Sequence, residues 1–162
     1  MKSLLSWFIL IVSIAVLVSS CAKSDDSSTS STDNSTSSSA NPEVFVATGG
    51  NGDILRSTEN GSSFENATSP TANRLRGVTF GNYIFAAGGV SGNIVRSTDN
   101  GSSWDNVTSP TGKNLFGVTF GNDIFLGVGQ SGNIVRSKDN GSTWDNATSP
   151  TGNTIYEVAF SE

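Results

Sequence analysis

The chain contains the octapeptide Ser97-Thr-Asp-Asn-Gly-Ser-Ser-Trp104, and near copies of it lie 40 residues to either side. The following copy is Ser137-Lys-Asp-Asn-Gly-Ser-Thr-Trp144. The preceding copy, Ser57-Thr-Glu-Asn-Gly-Ser-Ser-Phe64, has Glu in place of Asp and Phe in place of Trp. A fixed interval of this length is typical of repeat architectures, in which each unit packs against its neighbours. Residues 43–162 are therefore predicted to form one domain of three repeats.

Each repeat contains short stretches that are typical of β-strands. In the second repeat they are rich in Val, Ile, Thr and aromatic residues and are bounded by Gly, Asn, Asp or Pro, and they are Leu75–Gly81, Tyr83–Gly88, Asn93–Thr98 and Ser103–Thr108. Turn signals such as Asn100-Gly101 favour tight hairpins, because Asn and Gly accept positive φ. Four antiparallel strands in about 40–45 residues are the signature of a propeller blade. The sequence therefore predicts an all-β fold of three four-stranded antiparallel propeller-type blades, with a solenoid of stacked hairpins as the alternative.

The octapeptide resembles the Asp-box, S-x-D-x-G-x-x-W, which is also called the bacterial neuraminidase repeat. The resemblance covers residues 43–162 and implies a sialidase-like propeller fold, in which the motif is a folding device away from any catalytic site. It implies a structural role for Ser57, Glu59, Gly61, Phe64, Ser97, Asp99, Gly101, Trp104, Ser137, Asp139, Gly141 and Trp144.

The residue types of the motif suit the hairpin between the third and fourth strands of a blade. A short acid such as Asp99 can accept backbone N–H bonds within the turn, and Gly101 supplies backbone freedom. Trp104 is a large apolar anchor for the packed face of the blade. Glu59 has one more methylene than Asp, so we expect the first copy to hold its turn less well.

The two ends of the repeat domain are complementary. Glu43–Thr48 aligns with a second strand, whereas Ile155–Glu162 aligns with the first strand of the repeat. We therefore expect the C-terminal strand to complete the first blade, which removes an exposed sheet edge. Propellers typically have four to eight blades, so three blades predict self-association, with a dimer forming a six-bladed ring as the simplest form. A partial propeller, either an open arc or a fragment, and a strained monomer are the alternatives.

The N-terminal segment predicts export. Residues 1–20 combine Lys2, an apolar stretch and small residues before Cys21, which is the pattern of a signal peptide. Val18-Ser19-Ser20-Cys21 resembles the lipobox of bacterial lipoproteins and implies that Cys21 is lipidated and anchors the protein to the membrane of the cell envelope. Residues 21–42 are Ser- and Thr-rich, which predicts a disordered tether. Ala22 stands where lipoproteins retained at the inner membrane often have Asp, which favours the outer membrane.

Composition excludes several classes of function. Because Lys2 lies in the predicted signal peptide, the remaining chain has eight Lys and Arg against fourteen Asp and Glu, a formal charge of −6. This balance argues against nucleic-acid binding. The chain has no His, the commonest general base and metal ligand, and one Cys. We therefore expect no catalytic residues, no metal and no cofactor. Arg56, Arg96 and Arg136 share one register, either as a ring of cations for an acidic ligand or as partners of neighbouring acids.

Candidate ligand-binding residues lie where the repeats differ. Arg76, Phe116 and Tyr156 occupy one repeat position, at the entry to the innermost strand, and such entries often line the mouth of a propeller. The repeats also resemble those of photosystem-assembly factors, which implies a protein-binding platform. The sequence favours a non-catalytic, lipid-anchored binding or scaffolding module for a protein or glycan. The alternatives are a sialidase-like glycoside hydrolase and a structural repeat fragment without its own ligand.

Overall fold

The computed structural model describes residues 43–162. The predicted signal peptide 1–20, the predicted lipidation site Cys21 and the predicted tether 21–42 lie outside the described residues. Within 43–162, no helix is long and apolar enough to cross a membrane. In the same range no group of three or more His, Cys, Asp or Glu side chains could hold a metal ion.

Eleven β-strands form three separate antiparallel sheets along residues 43–162. The first sheet contains β1 (Phe45–Thr48), β2 (Ile54–Ser57) and β3 (Glu65–Asn66). The second contains β4 (Leu75–Gly81), β5 (Ile84–Gly89), β6 (Ile94–Ser97) and β7 (Asp105–Val107). The third contains β8 (Leu115–Gly121), β9 (Ile124–Gly129), β10 (Ile134–Ser137) and β11 (Asp145–Ala147). The prediction of all-β, propeller-type antiparallel blades is confirmed, and the second and third sheets have the four predicted strands.

The first sheet differs from the prediction, because it has three strands in the order β1-β2-β3. The C-terminal segment Ile155–Phe160 joins none of the three sheets and lies beside the third sheet instead. Its Ile155 N–H donates to the Gly129 carbonyl at 3.0 Å, as the Leu75 N–H donates to the carbonyl of Gly49, which directly follows β1. The segment therefore occupies the position of the next inner strand after β8. Within one chain it does not complete the first blade.

The core lies between the sheets. Successive side chains of a strand point to opposite faces. Every residue of β5 is buried, so both faces of this strand are covered. Phe85 and Ala87 pack towards the first sheet, whereas Ile84 and Ala86 pack towards the third. One packed layer therefore lies between the first and second sheets and contains Trp104, and the other lies between the second and third sheets and contains Trp144. The two Trp residues are 5% and 7% exposed. The buried side chains therefore join neighbouring sheets.

Candidate functional site

The second Asp-box turn is held by side-chain hydrogen bonds. The buried Ser97 hydroxyl accepts the Gly101 N–H at 2.8 Å and donates to Asp99 Oδ1 at 2.8 Å. The Asp99 carboxylate also accepts the Ser103 N–H and hydroxyl, at 2.9 and 2.6 Å. The Trp104 indole N–H donates to the Gly101 carbonyl at 3.1 Å. Gly101 has a φ of 77°, which glycine adopts without a Cβ clash.

The three copies of the motif are not equal. The third copy repeats the full set of bonds at 2.6 to 3.1 Å, through Ser137, Asp139, Gly141, Thr143 and Trp144. In the first copy the Ser57 hydroxyl still accepts the Gly61 N–H at 3.0 Å. The Glu59 carboxylate accepts only the Ser63 hydroxyl, at 2.9 Å, and the Phe64 ring is 45% exposed. The first turn is therefore the least tightly held.

Sequence reasoning assigned no specific contact to the serine that opens each motif. Ser57, Ser97 and Ser137 are all buried, at 1 to 2% exposure. Each hydroxyl oxygen accepts the N–H of the motif glycine, which would otherwise need a backbone carbonyl as its acceptor. A buried N–H without a partner costs about 1–3 kcal/mol, so each serine hydroxyl stabilises its turn. Serine is common in this chain, so a single Ser does not indicate a buried structural role. Its recurrence at positions 57, 97 and 137 was the available signal for that role.

Hydrogen bonding lowers the pKa of the carboxylates in the two complete motifs. Bonds from the Thr143 hydroxyl and N–H and from the Ser137 hydroxyl lower the pKa of Asp139 from the ordinary 3.8 to about 2. Desolvation raises the pKa of Asp99, but bonds from Ser103 and Ser97 outweigh it, so the pKa is lowered overall. Bonds to a carboxylate favour its charged form. Both groups are therefore held in their charged form by the hydrogen bonds of their turns.

The lowered pKa of Asp139 predicts a pH-dependent stability. A folded-state pKa below the unfolded value gives stability that is complete above about pH 4 and is lost as the pH falls towards 2. We expect the unfolding free energy of the wild type to fall over this range, and that of Asp139→Asn to fall less. Urea unfolding at a series of pH values measures both profiles. The control is Asn122→Gly, in the β8–β9 turn, which removes no carboxylate and should keep the wild-type profile. Parallel profiles for Asp139→Asn and the wild type would contradict this account.

Two of the three arginines that share one register link neighbouring sheets. Arg56 Nε donates to the Asn100 carbonyl at 2.7 Å, and Arg96 Nε donates to the Asn140 carbonyl at 2.6 Å. Each acceptor belongs to the Asp-box turn of the following sheet, 44 residues away. The strand register also places Arg56, Arg96 and Arg136 opposite an acid of their own sheets, Glu65, Asp105 and Asp145, respectively. The Nε groups of Arg56 and Arg96 are therefore occupied by contacts between sheets.

Arg76, Phe116 and Tyr156 form a continuous ladder across three inner strand positions. The Arg76 guanidinium carbon lies 4.8 Å from the centroid of the Phe116 ring. The Phe116 and Tyr156 rings are 5.3 Å apart and tilted by 44°. Arg76 is exposed, Phe116 is half-buried and Tyr156 is 69% exposed. A cavity of about 280 Å³ adjoins Arg76 and Phe116. The structure therefore brings the three sequence-predicted residues together on one accessible surface, which we name the mouth ladder.

The end of the sheets that carries the mouth ladder differs in charge from the Asp-box end. This mouth end, where β4 and β8 begin, carries Arg74, Arg76 and Lys113 against Asp53 and Glu157. The Asp-box end carries nine acids, Glu43, Glu59, Glu65, Asp99, Asp105, Asp123, Asp139, Asp145 and Glu162, against Arg56, Arg96, Arg136 and Lys138. Among residues 43–162, a negatively charged ligand group would therefore meet less electrostatic repulsion at the mouth end than at the Asp-box end.

The described residues define an open arc of β-propeller blades with an aromatic and cationic ladder at its mouth. No protein-family model matches the chain, and no curated protein matches it. Among solved structures, the chain is similar to "YCF48 bound to D1 peptide", with a TM-score of 0.61 and 19% identity over 71% of this chain. It is also similar to "YCF48 from Cyanidioschyzon merolae", with a TM-score of 0.53 and 25% identity over 62% of this chain. The chain spans 39% and 32% of the length of those proteins. At these identities the matches show a similar fold.

Proposed function

We propose that the chain is a non-catalytic, peptide-binding propeller module, held at the bacterial cell envelope by a lipid on Cys21. The observation that carries the binding function is the mouth ladder of Arg76, Phe116 and Tyr156, in which a cation and two rings are stacked and accessible. Tyr, Phe and Arg are the residue types enriched where proteins bind one another. Tyr156 is largely exposed, so its ring is accessible to a ligand.

The chemistry of the mouth end favours an extended peptide with an acidic group and an aromatic or apolar side chain. The Arg76 guanidinium has five N–H donors and can bind a carboxylate in a bidentate way. The rings of Phe116 and Tyr156 offer flat apolar surface for a second side chain. One of the similar structures is a YCF48 protein bound to a peptide. That complex supports a peptide rather than a glycan as the first ligand to test.

The anchoring part of the proposal rests on the sequence. Cys21 is the single cysteine and follows a charged, apolar and small-residue pattern. Lipid on Cys21 and the tether up to residue 42 would let the propeller extend from the membrane surface. Ala22 supports the outer membrane as the location. Metabolic labelling with a fatty-acid analogue tests the anchor, because Cys21→Ser should abolish incorporation.

The catalytic alternative has less support. A retaining sialidase requires a tyrosine nucleophile with a helper acid, together with arginines that converge on the substrate. Arg56 and Arg96 instead donate to backbone carbonyls between sheets. The similar structures are YCF48 proteins, and one of them is a peptide complex. Turnover of a fluorogenic sialoside that is lost in Tyr156→Phe would overturn the non-catalytic proposal.

Peptide binding should depend on the mouth ladder. We expect the full chain in detergent to retain acidic, aromatic members of a synthetic 15-residue peptide library. The triple variant Arg76→Ala, Phe116→Ala, Tyr156→Ala should weaken that binding at least about tenfold, since exposed Arg and Tyr anchors often carry most of an interface energy. Fluorescence anisotropy of labelled library members gives the dissociation constants.

Tyr83→Ala provides the matched control for this experiment. Tyr83 is 73% exposed, like Tyr156, but lies in the β4–β5 turn at the Asp-box end. Its substitution should leave the dissociation constants unchanged. Equal binding by the triple variant and the wild type would place the site elsewhere, and retention of glycans with no retention of peptides would change the class of ligand.

A further inference from the structure

The aromatic side chains of the repeats form triads, two of which are complete. Phe80, Phe85 and Trp104 stack with centroid distances of 4.6 and 6.2 Å. The second triad stacks with distances of 4.6 and 6.4 Å, and consists of Phe120, Phe125 and Trp144. Each triad joins the inner strand of a sheet to its second strand and to its Asp-box, on the face that packs against the preceding sheet.

A third triad is present in the sequence but divided between the two ends of the arc. Its members, by the same 40-residue register, are Phe160, Phe45 and Phe64. They are exposed by 48%, 52% and 45%, respectively. Phe160 lies over Gly121 at one end, as Phe120 lies over Gly81 inside the molecule. Phe45 and Phe64 lie on the first sheet, at the other end.

The face of the third sheet beside Phe160 is an apolar groove. The groove has a volume of about 360 Å³ and is lined by Ile124, Leu126, Val158 and Phe160, among others. The equivalent face of the second sheet, around Ile84 and Ala86, is buried under the third sheet. Within one chain, the equivalent face of the second sheet is therefore covered by the aromatic side chains of the third sheet.

We propose that a second copy of this chain occupies the groove, placing its Phe45 and Phe64 against Phe160 of the first copy and completing the third triad. Residues Ile155–Phe160 of one copy then pair with β1 of the other. The expected register follows Phe80↔Phe85 and Phe120↔Phe125, which gives Phe160 opposite Phe45. Two-fold symmetry forms the junction twice and gives a ring of six blades.

Two polar contacts recur at both internal junctions and fit the same arrangement between copies. The first is the arginine-to-carbonyl bond described above. In the proposed dimer its third version joins Arg136 of one copy to the Asn60 carbonyl of the other. The second runs from Asn106 Nδ2 to the Pro70 carbonyl at 2.9 Å, and from Asn146 Nδ2 to the Pro110 carbonyl at 3.2 Å. Its third version joins Asn66 of one copy to the Pro150 carbonyl of the other. Apolar and polar groups at the two ends are thus complementary.

The mass of the full chain in detergent, measured by light scattering with the detergent contribution subtracted, tests the proposal. We expect the mass of two chains for the wild type and of one chain for Leu126→Glu, which places a charge in the groove. Near-UV circular dichroism of the buried Trp104 and Trp144 shows whether the variant remains folded. Tyr83→Asn is the control and should keep the mass of two chains. A monomeric wild type, an assembly larger than two, or a dimeric Leu126→Glu protein overturns the proposal.

Thiol cross-linking tests the register on a full-length Cys21→Ser background, which has no other cysteine. Chains with Phe160→Cys are mixed with chains with Phe45→Cys and oxidised. We expect a disulfide-linked dimer from this mixture. The matched mixture uses Lys113→Cys in place of Phe45→Cys, because Lys113 is also exposed but lies at the mouth end, away from Phe160. Equal cross-linking of the two mixtures, or none in the first, overturns the register.

Discussion

Replacement of Trp144 by alanine is expected to lower the free energy of unfolding by about 3–5 kcal/mol, the usual cost of removing a buried Trp or Phe side chain. Trp144 is 7% exposed and belongs to the layer between the second and third sheets. Its ring stacks on Phe125, and its indole N–H donates to the Gly141 carbonyl. The substitution removes apolar contact, leaves a cavity and frees a hydrogen-bond acceptor at the same time.

Two further variants separate these contributions. Trp144→Phe keeps an aromatic ring but loses the indole bond, so we expect a cost of about 1 kcal/mol. Tyr83→Ala changes an exposed ring and should stay within about 0.5 kcal/mol of the wild type. Urea unfolding at one protein concentration measures all three. A Trp144→Ala cost near that of Tyr83→Ala would mean that the second and third sheets are not packed as described.

The sheets themselves could be predicted from sequence because their signals are local. A 40-residue recurrence gives the number of repeats, and Asn-Gly pairs mark turns that need positive φ. The structure gives Asn100 a φ of 56° and Gly101 a φ of 77°, as that reasoning requires. The β4–β5 turn was less predictable. Its positive φ values fall on Asn82 and Tyr83, although Tyr83 was predicted to begin the second strand, because the pairing of Gly81 with Ile84 leaves both residues in the turn.

The candidate site could be predicted only in part. A shared repeat register placed Arg76, Phe116 and Tyr156 at one position, but their stacking depends on neighbouring inner strands lying side by side. The arginine contacts were beyond sequence reasoning for the same reason, since Arg56 and its carbonyl partner are 44 residues apart. The position of Ile155–Phe160 beside β8 likewise reflects packing between blades. Contacts within a repeat follow from local pattern, whereas contacts between repeats require the geometry of the arc.

Gly92 illustrates how a contact between neighbouring elements fixes the mouth end. It ends the short 3-10 turn Val90–Gly92, and has a φ of 71°. A Cβ at this position would overlap the carbonyl oxygen of Thr111, which belongs to the loop that leads into β8. Both the backbone conformation and the close approach therefore require glycine. The loop carries Lys113 and precedes Phe116, so the turn also positions the mouth ladder.

Replacement of Gly92 by alanine should therefore cost more than about 3 kcal/mol, because the added methyl group meets backbone rather than a movable side chain. Gly112→Ala is the matched control in the same loop, since a Cβ there would contact nothing within 4 Å. We expect that control to change the unfolding free energy by about 0.5 kcal/mol or less. Urea unfolding gives both values. Fluorescence anisotropy with a peptide that the wild type binds shows whether folded Gly92→Ala protein still binds peptide at the mouth ladder. Similar costs for the two alanines would refute the close contact between the 3-10 turn and the loop, and with it the placement of Phe116 by Gly92.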